Sequence, residues 1–86
     1  MLESELKRKG TLLLESYGWL VVHIIQTNKN GWPDSQIYRR NVMWHIEWKQ
    51  PGKNPRPLQS YRIEKLREQG FQTLIITDVK QLEFLK

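Results

Sequence analysis

No cysteine occurs among the 86 residues, which removes disulfides, thiolate nucleophiles and cysteine-based zinc sites together. No apolar run approaches the ~20 residues that a bilayer-spanning helix needs. The opening Met1-Leu2-Glu3-Ser4-Glu5 is acidic and lacks the basic-then-apolar order of a secretory signal. These absences lead to the expectation of an intracellular, cytoplasmic protein with no membrane partner. Negative charge is also scarce. Nine Asp and Glu stand against fourteen Lys and Arg, a net charge of +5. Over so short a chain that bias points to a polyanionic partner, of which nucleic acid is the commonest.

What is present suits a soluble globular protein, with 38% hydrophobic and 27% charged residues. Residues 1–86 are expected to form a single domain. A chain of this size buries roughly 60–65% of the surface its unfolded form exposes, so a small core and self-association are both expected.

The periodicity predicts a helix over the first seventeen residues. At about 100° per residue, Leu2, Leu6, Gly10, Leu13, Leu14 and Tyr17 share a stripe. Glu3 lies inside that stripe and Glu5 outside it. Gly10 on the same side would allow close approach to a sheet, and Gly18 ends the helix. Trp19 to Ile25 reads as a strand of the kind buried on both faces. Gln26 to Pro33 is a loop by its Asn, Gly and Pro content. Asp34 to Arg39 and Val42 to Lys49 read as strands joined at an Arg40-Asn41 turn. In the second strand, period two puts Val42, Trp44, Ile46 and Trp48 on one face and Met43, His45, Glu47 and Lys49 on the other. A proline-rich loop, Gln50 to Pro57, leads to a helix that Pro57 starts and Gly70 closes. Leu58, Tyr61, Ile63 and Leu66 are its apolar positions. Phe71 to Thr77 is a further strand, and Asp78 caps a short last helix carrying Val79, Leu82, Phe84 and Leu85. The resulting order, α-β-β-β-α-β-α, implies an α/β fold. A mixed central sheet is flanked by helices, with one parallel β-α-β crossover.

Three observations converge on chemistry. Asp34 follows a Gly-x-Pro turn and opens a strand. Glu47 and Lys49 are two apart and project from the same face of the next strand. Glu3 sits on the core-facing side of the first helix. Carboxylate oxygens are the ligands that Mg²⁺ or Mn²⁺ prefers, and such an ion neutralises and polarises a phosphodiester. A neighbouring lysine can orient the attacking water, stabilise developing charge or, when desolvated, take a proton. All three roles are open to Lys49.

The string Gly31-Trp32-Pro33-Asp34, the twelve residues that separate Asp34 from Glu47, and Ile46-Glu47-Trp48-Lys49 resemble the signature of the virus-type replication-repair nuclease (VRR-NUC) domain, a branch of the PD-(D/E)xK nucleases. The similarity runs over nearly the whole chain. It includes a helix opening with a Glu, an Asn-x-x-Gly stretch before the Pro-Asp, and Arg56-Pro57-Leu58-Gln59, similar to the family's Ser-Pro-x-Gln. The resemblance implies a restriction-endonuclease-like core and a metal-dependent DNA endonuclease. Asp34 and Glu47 would bind Mg²⁺ or Mn²⁺, joined by the Trp48 backbone carbonyl and, directly or through water, Glu3. Lys49 would serve the attacking water and Gln59 would face the site. Stand-alone members are similar to junction-resolving enzymes, which implies a homodimer acting on branched DNA in a bacterial or phage-infected cell.

The remaining residues have plainer readings. His23 and His45 do not have a zinc-like spacing, and Trp19, Trp44 and Trp48 are expected in the core or at a dimer surface. Trp32 is the aromatic placed to stack on a base, and Lys29, Arg39, Arg40, Lys53 and Arg56 are candidate phosphate contacts. The competing functional reading is a non-catalytic nucleic-acid-binding module, or a subunit whose ExK motif is vestigial.

Overall fold

Leu6, Gly10 and Leu14 recur every four residues, and the helix that carries them, α1 (Glu3–Ser16), buries all three. Gly10 is what lets it lie close. A Cβ at this position would overlap the indole ring of Trp48 and come within 3.3 Å of a Leu82 methyl. The structure, a computed structural model, describes residues 1–86. Its strands are β1 (Leu20–His23), β2 (Ser35–Arg39), β3 (Val42–Trp48) and β4 (Gln72–Ile76), with α2 (Pro57–Glu68) crossing between the last two. A 3₁₀ helix, Val79–Leu85, ends the chain.

The four strands lie side by side in sequence order, the first three antiparallel and β4 parallel to β3. Arg40 and Asn41, at φ 50° and 66°, make the two-residue β2–β3 turn in the left-handed form that matches strand twist. Strand parity then sorts the side chains. Ile37, Ile46, Trp48 and Ile76 join Leu6, Leu14, Trp19, Leu82 and Leu85 in one core between the sheet and α1. The opposite face carries His45, Glu47, Thr73 and Ile75 and meets α2.

Three expectations about elements change. β1 is not buried on both faces, because it pairs only with β2 and forms a sheet edge. Its outward residues Leu20 and Val22 are exposed, since α2 packs at the β4 end and does not reach them. In α2 only Ile63 and Leu66 are buried, while Leu58 and Tyr61 face solvent. The last helix is 3₁₀ rather than α. Asp78 caps it as expected, with Oδ1 accepting from Lys80 N–H at 2.8 Å, and Leu82 and Leu85 are buried while Phe84 is exposed.

Candidate active site

β2 begins one residue after Asp34, so at this level β3 has no strand partner on that side. The Asp34 carboxylate takes the vacant place, Oδ2 accepting from the Trp48 backbone N–H at 3.1 Å. The same parity that sends the Trp48 indole into the core sends Glu47 and Lys49 to the other face. Glu47 is 1% exposed, and its Oε2 receives Lys49 Nζ at 3.4 Å and Gln59 Nε2 at 3.1 Å. Gln59 is itself held, since its Oε1 accepts from the Arg56 backbone N–H at 2.9 Å. That bond is half of a capping box. The other half is missing because an arginine side chain has no acceptor to offer.

Glu47 Oε1 has no partner and is fully buried. Burial, followed by the Asp34 carboxylate, pushes the Glu47 carboxyl up to about 7. Lys49 pulls the other way, and Glu3 adds a further upward push. Glu3 is exposed at the start of α1, yet its charge is felt at Glu47 and that of Glu5 is not among the causes. Glu3 is thus not on the buried side that the apolar stripe suggested, because α1 buries only Leu6, Gly10 and Leu14 and leaves both first-turn glutamates at the surface.

The structure thus brings Asp34, Glu47, Lys49 and Gln59 together, with Glu3 at their margin. Lys29 and Trp32 lie in the loop before Asp34, and Lys53 and Arg56 in the loop after Lys49. Trp32 is half-buried and meets the buried His45 ring edge-on at 5.6 Å. Arg39 and Arg40 are not part of this group. They sit at the hairpin end of β2 and β3, about 17 Å along the strand from Asp34 at ~3.4 Å per residue. Arg39 is occupied there, donating to the Tyr17 carbonyl at 2.8 Å and stacking 4.3 Å over the Trp19 ring.

Sequence reasoning missed the support behind Asp34. Trp48 Nε1 donates to Ser35 Oγ at 2.9 Å, His23 Nδ1 lies 2.8 Å from the same oxygen, and His23 Nε2 lies 3.3 Å from Thr11 Oγ1. The hydrogen inventory fixes the proton on Nε2. Indole only donates, and Thr11 spends its hydrogen on the Lys7 carbonyl at 2.6 Å. Nε2–H therefore donates to Thr11, and in the neutral ring Ser35 O–H donates to Nδ1. Burial, with Lys7 second, lowers the His23 pKa and so favours that neutral ring. The available signal was a buried tryptophan whose N–H needs a partner, two residues from a serine's strand register.

The donor set fits a hard divalent cation. No group of three or more His, Asp or Glu is gathered that could hold a metal ion; Asp34 and Glu47 offer two carboxylates, and Mg²⁺ is usually held by one or two with water and substrate oxygens completing its shell. Glu47 Oε1 is a buried carboxyl oxygen without a partner, which a cation would satisfy.

Comparison with solved structures gives the family. A structure titled "VRR_NUC domain" superposes with a TM-score of 0.85 at 26% identity, covering 96% of this chain and 91% of its own. The chain is a VRR-NUC domain. A second, "VRR_NUC domain protein", matches with a TM-score of 0.76, 99% of this chain and 84% of its own, and at 18% identity speaks for the fold alone. No protein-family model matches the sequence, and no curated protein matches it. The VRR-NUC fold is of nuclease type. No helix in this one is long and apolar enough to cross a membrane.

Proposed function

We propose that this VRR-NUC domain is a Mg²⁺- or Mn²⁺-dependent DNA endonuclease that acts as a homodimer on branched, junction-like DNA. The observation that carries the reading is Glu47. It is a carboxylate buried against a helix, raised to about 7, ion-paired to Lys49 and left with one oxygen unsatisfied. Desolvation of an anion without full compensation is costly, and such groups concentrate where chemistry is done. Asp34, Glu47 and the Trp48 carbonyl would hold the ion, with Glu3 reaching it through water. When bound, it would supply charge neutralisation at the scissile phosphate and a more acidic water.

The reaction adds water to phosphorus, breaks one P–O ester bond and passes a proton to the departing oxygen. Lys49 orients the attacking water and offsets charge on the phosphoryl oxygens. Gln59 fixes the rotamer of Glu47 and keeps Oε2 occupied, so that Oε1 is the oxygen presented to the ion. Lys29, Lys53 and Arg56, on loops flanking these groups, contact backbone phosphates on either side. Two such sites related by a twofold axis would address two strands.

The test is nicking of plasmid and four-way-junction DNA in Mg²⁺, Mn²⁺ or EDTA. Metal-dependent nicking that Asp34→Ala removes is the expected result. Binding of DNA without nicking in either metal would instead make the domain a non-catalytic binding module.

A further inference from the structure

Ile25 is 92% exposed, more than any other large hydrophobic residue that reaches the surface. It stands where the chain leaves β1. The Ile24 N–H still donates to the Asp34 carbonyl at 2.8 Å, and the loop that follows returns to that same aspartate. Between its limbs lies a cavity of about 330 Å³, whose lining includes Ile25, Gln26, Lys29, Asn30, Trp32 and Asp34. The loop is fastened to α2 at two points. Arg62 Nε donates to the Asn30 carbonyl at 3.0 Å. Gly31, at φ 80°, lies so near that a Cβ there would come within 2.9 Å of Leu58 Cγ and 3.0 Å of its backbone. The same helix supplies Gln59 to Glu47, so the cavity and the buried carboxylate share one rigid support.

We propose that this cavity receives a single unpaired nucleotide of the DNA strand next to the scissile phosphate, with Ile25 as the wedge that parts it from the adjacent base pair. The inference rests on the nuclease reading above and adds a substrate feature to it. Gln26 and Asn30 each bring an amide that both donates and accepts, which suits the edge of a base. Lys29 brings a cation for its phosphate. An isolated apolar side chain projecting from a polar loop is the device by which DNA-binding proteins unstack a base step. Asp34 is part of the cavity's lining, so a nucleotide held there leaves its linkage to the next one near Glu47 and Lys49.

Ile25→Ser is a safe variant, since so exposed a side chain takes no part in the core. Two substrates of the same sequence separate the roles. One is fully paired at the cut and the other carries an unpaired nucleotide there. In single-turnover assays, Ile25→Ser is expected to slow the paired substrate at least about tenfold, because unstacking must now occur unaided. The unpaired substrate should change less than about twofold, and Ile25→Leu should restore the paired rate. Equal slowing of both substrates, or no slowing of either, overturns the wedge. A second measurement needs no cleavage. 2-Aminopurine placed beside the cut in paired DNA should brighten when the wild-type protein binds in EDTA and stay dark with Ile25→Ser. Failure of the wild type to cleave either DNA would count against the nuclease, whereas absence of brightening on binding would count against the wedge.

Discussion

The two faces of the sheet are built on opposite terms. On the α1 face, Leu6, Leu14, Ile37, Ile46 and Trp48 pack without polar loss, and the polar atoms there, among them those of His23, Ser35 and the Trp19 and Trp48 indoles, are partnered. On the α2 face, every buried side-chain atom that lacks a partner in the protein is found: His45 Nδ1, Glu47 Oε1 and Thr73 Oγ1. One face therefore stabilises the fold and the other stores an electrostatic cost at a place where a charged ligand can relieve it. Trp48 and Glu47 are neighbours in sequence, and the period of two assigns them to these opposite tasks.

The contrast can be broken most severely at Glu47. Glu47→Ala or Asp34→Ala should reduce cleavage of junction DNA by roughly 10²–10³-fold or more, the scale on which removing one charge-stabilising group acts, while both variants stay folded and only Asp34→Ala, which takes the acceptor from the Trp48 N–H, loses about 1 kcal/mol. A Tm that falls by many degrees with activity retained would place Glu47 among the structural residues instead. The other face should respond inversely. Trp48→Ala should cost about 3–5 kcal/mol in denaturant unfolding, enough to threaten a domain this small. Gly10→Val should be destabilising as well, because the ring of Trp48 occupies the space the new side chain needs.

A smaller effect follows from titration. The Glu47 carboxyl is raised from 4.5 to about 7 in the metal-free fold. Between those values the folded protein holds a proton that the unfolded chain has released. Stability is thus greatest below pH 4.5 as far as this group is concerned, and falls as pH rises towards 7, by on the order of 2–3 kcal/mol. Urea unfolding in EDTA at pH 5 and pH 8 should show that fall in the wild type and a flatter profile in Glu47→Gln. A wild-type profile that rises over this window would mean that Glu47 is ionised and well compensated. The smallest effect concerns α1. Glu3→Gln should lower the single-turnover rate about tenfold, equal to ~1.4 kcal/mol. Glu5→Gln, whose charge does not act on Glu47, should change it less than about twofold. The reverse order would show that Glu3 does not act at the site.

Much of this arrangement was legible before the structure. Alternation in Val42 to Lys49 separates Trp48 from Glu47 without further information. Gly10 on the apolar stripe foretells the close contact with the sheet. The order of elements follows from where Gly and Pro interrupt the apolar runs. Other features were hidden for identifiable reasons. A continuous apolar run looks the same in a central strand and in an edge strand such as β1, because exposure depends on which neighbours a sheet acquires. In α2 the apolar positions suggested burial of Leu58 and Tyr61, but tertiary packing engages Ile63 and Leu66 and turns Gln59 towards Glu47. The bond between Ser35 and the Trp48 indole joins residues 13 apart, which only the strand register reveals. Ile25 read as the end of a buried strand, whereas the strand stops two residues earlier.

The central claim is that the α2 face holds Glu47 in an uncompensated state for a divalent cation. Calorimetric titration with Mn²⁺ near pH 6.5, repeated in buffers of different ionisation enthalpy, tests it most directly. At that pH a carboxyl with a pKa of about 7 is largely protonated, so binding should release a substantial fraction of one proton per ion. Glu47→Gln should bind at least about tenfold more weakly and release none. Wild-type and Glu47→Gln proteins binding Mn²⁺ with the same affinity, and without proton release, would contradict the account.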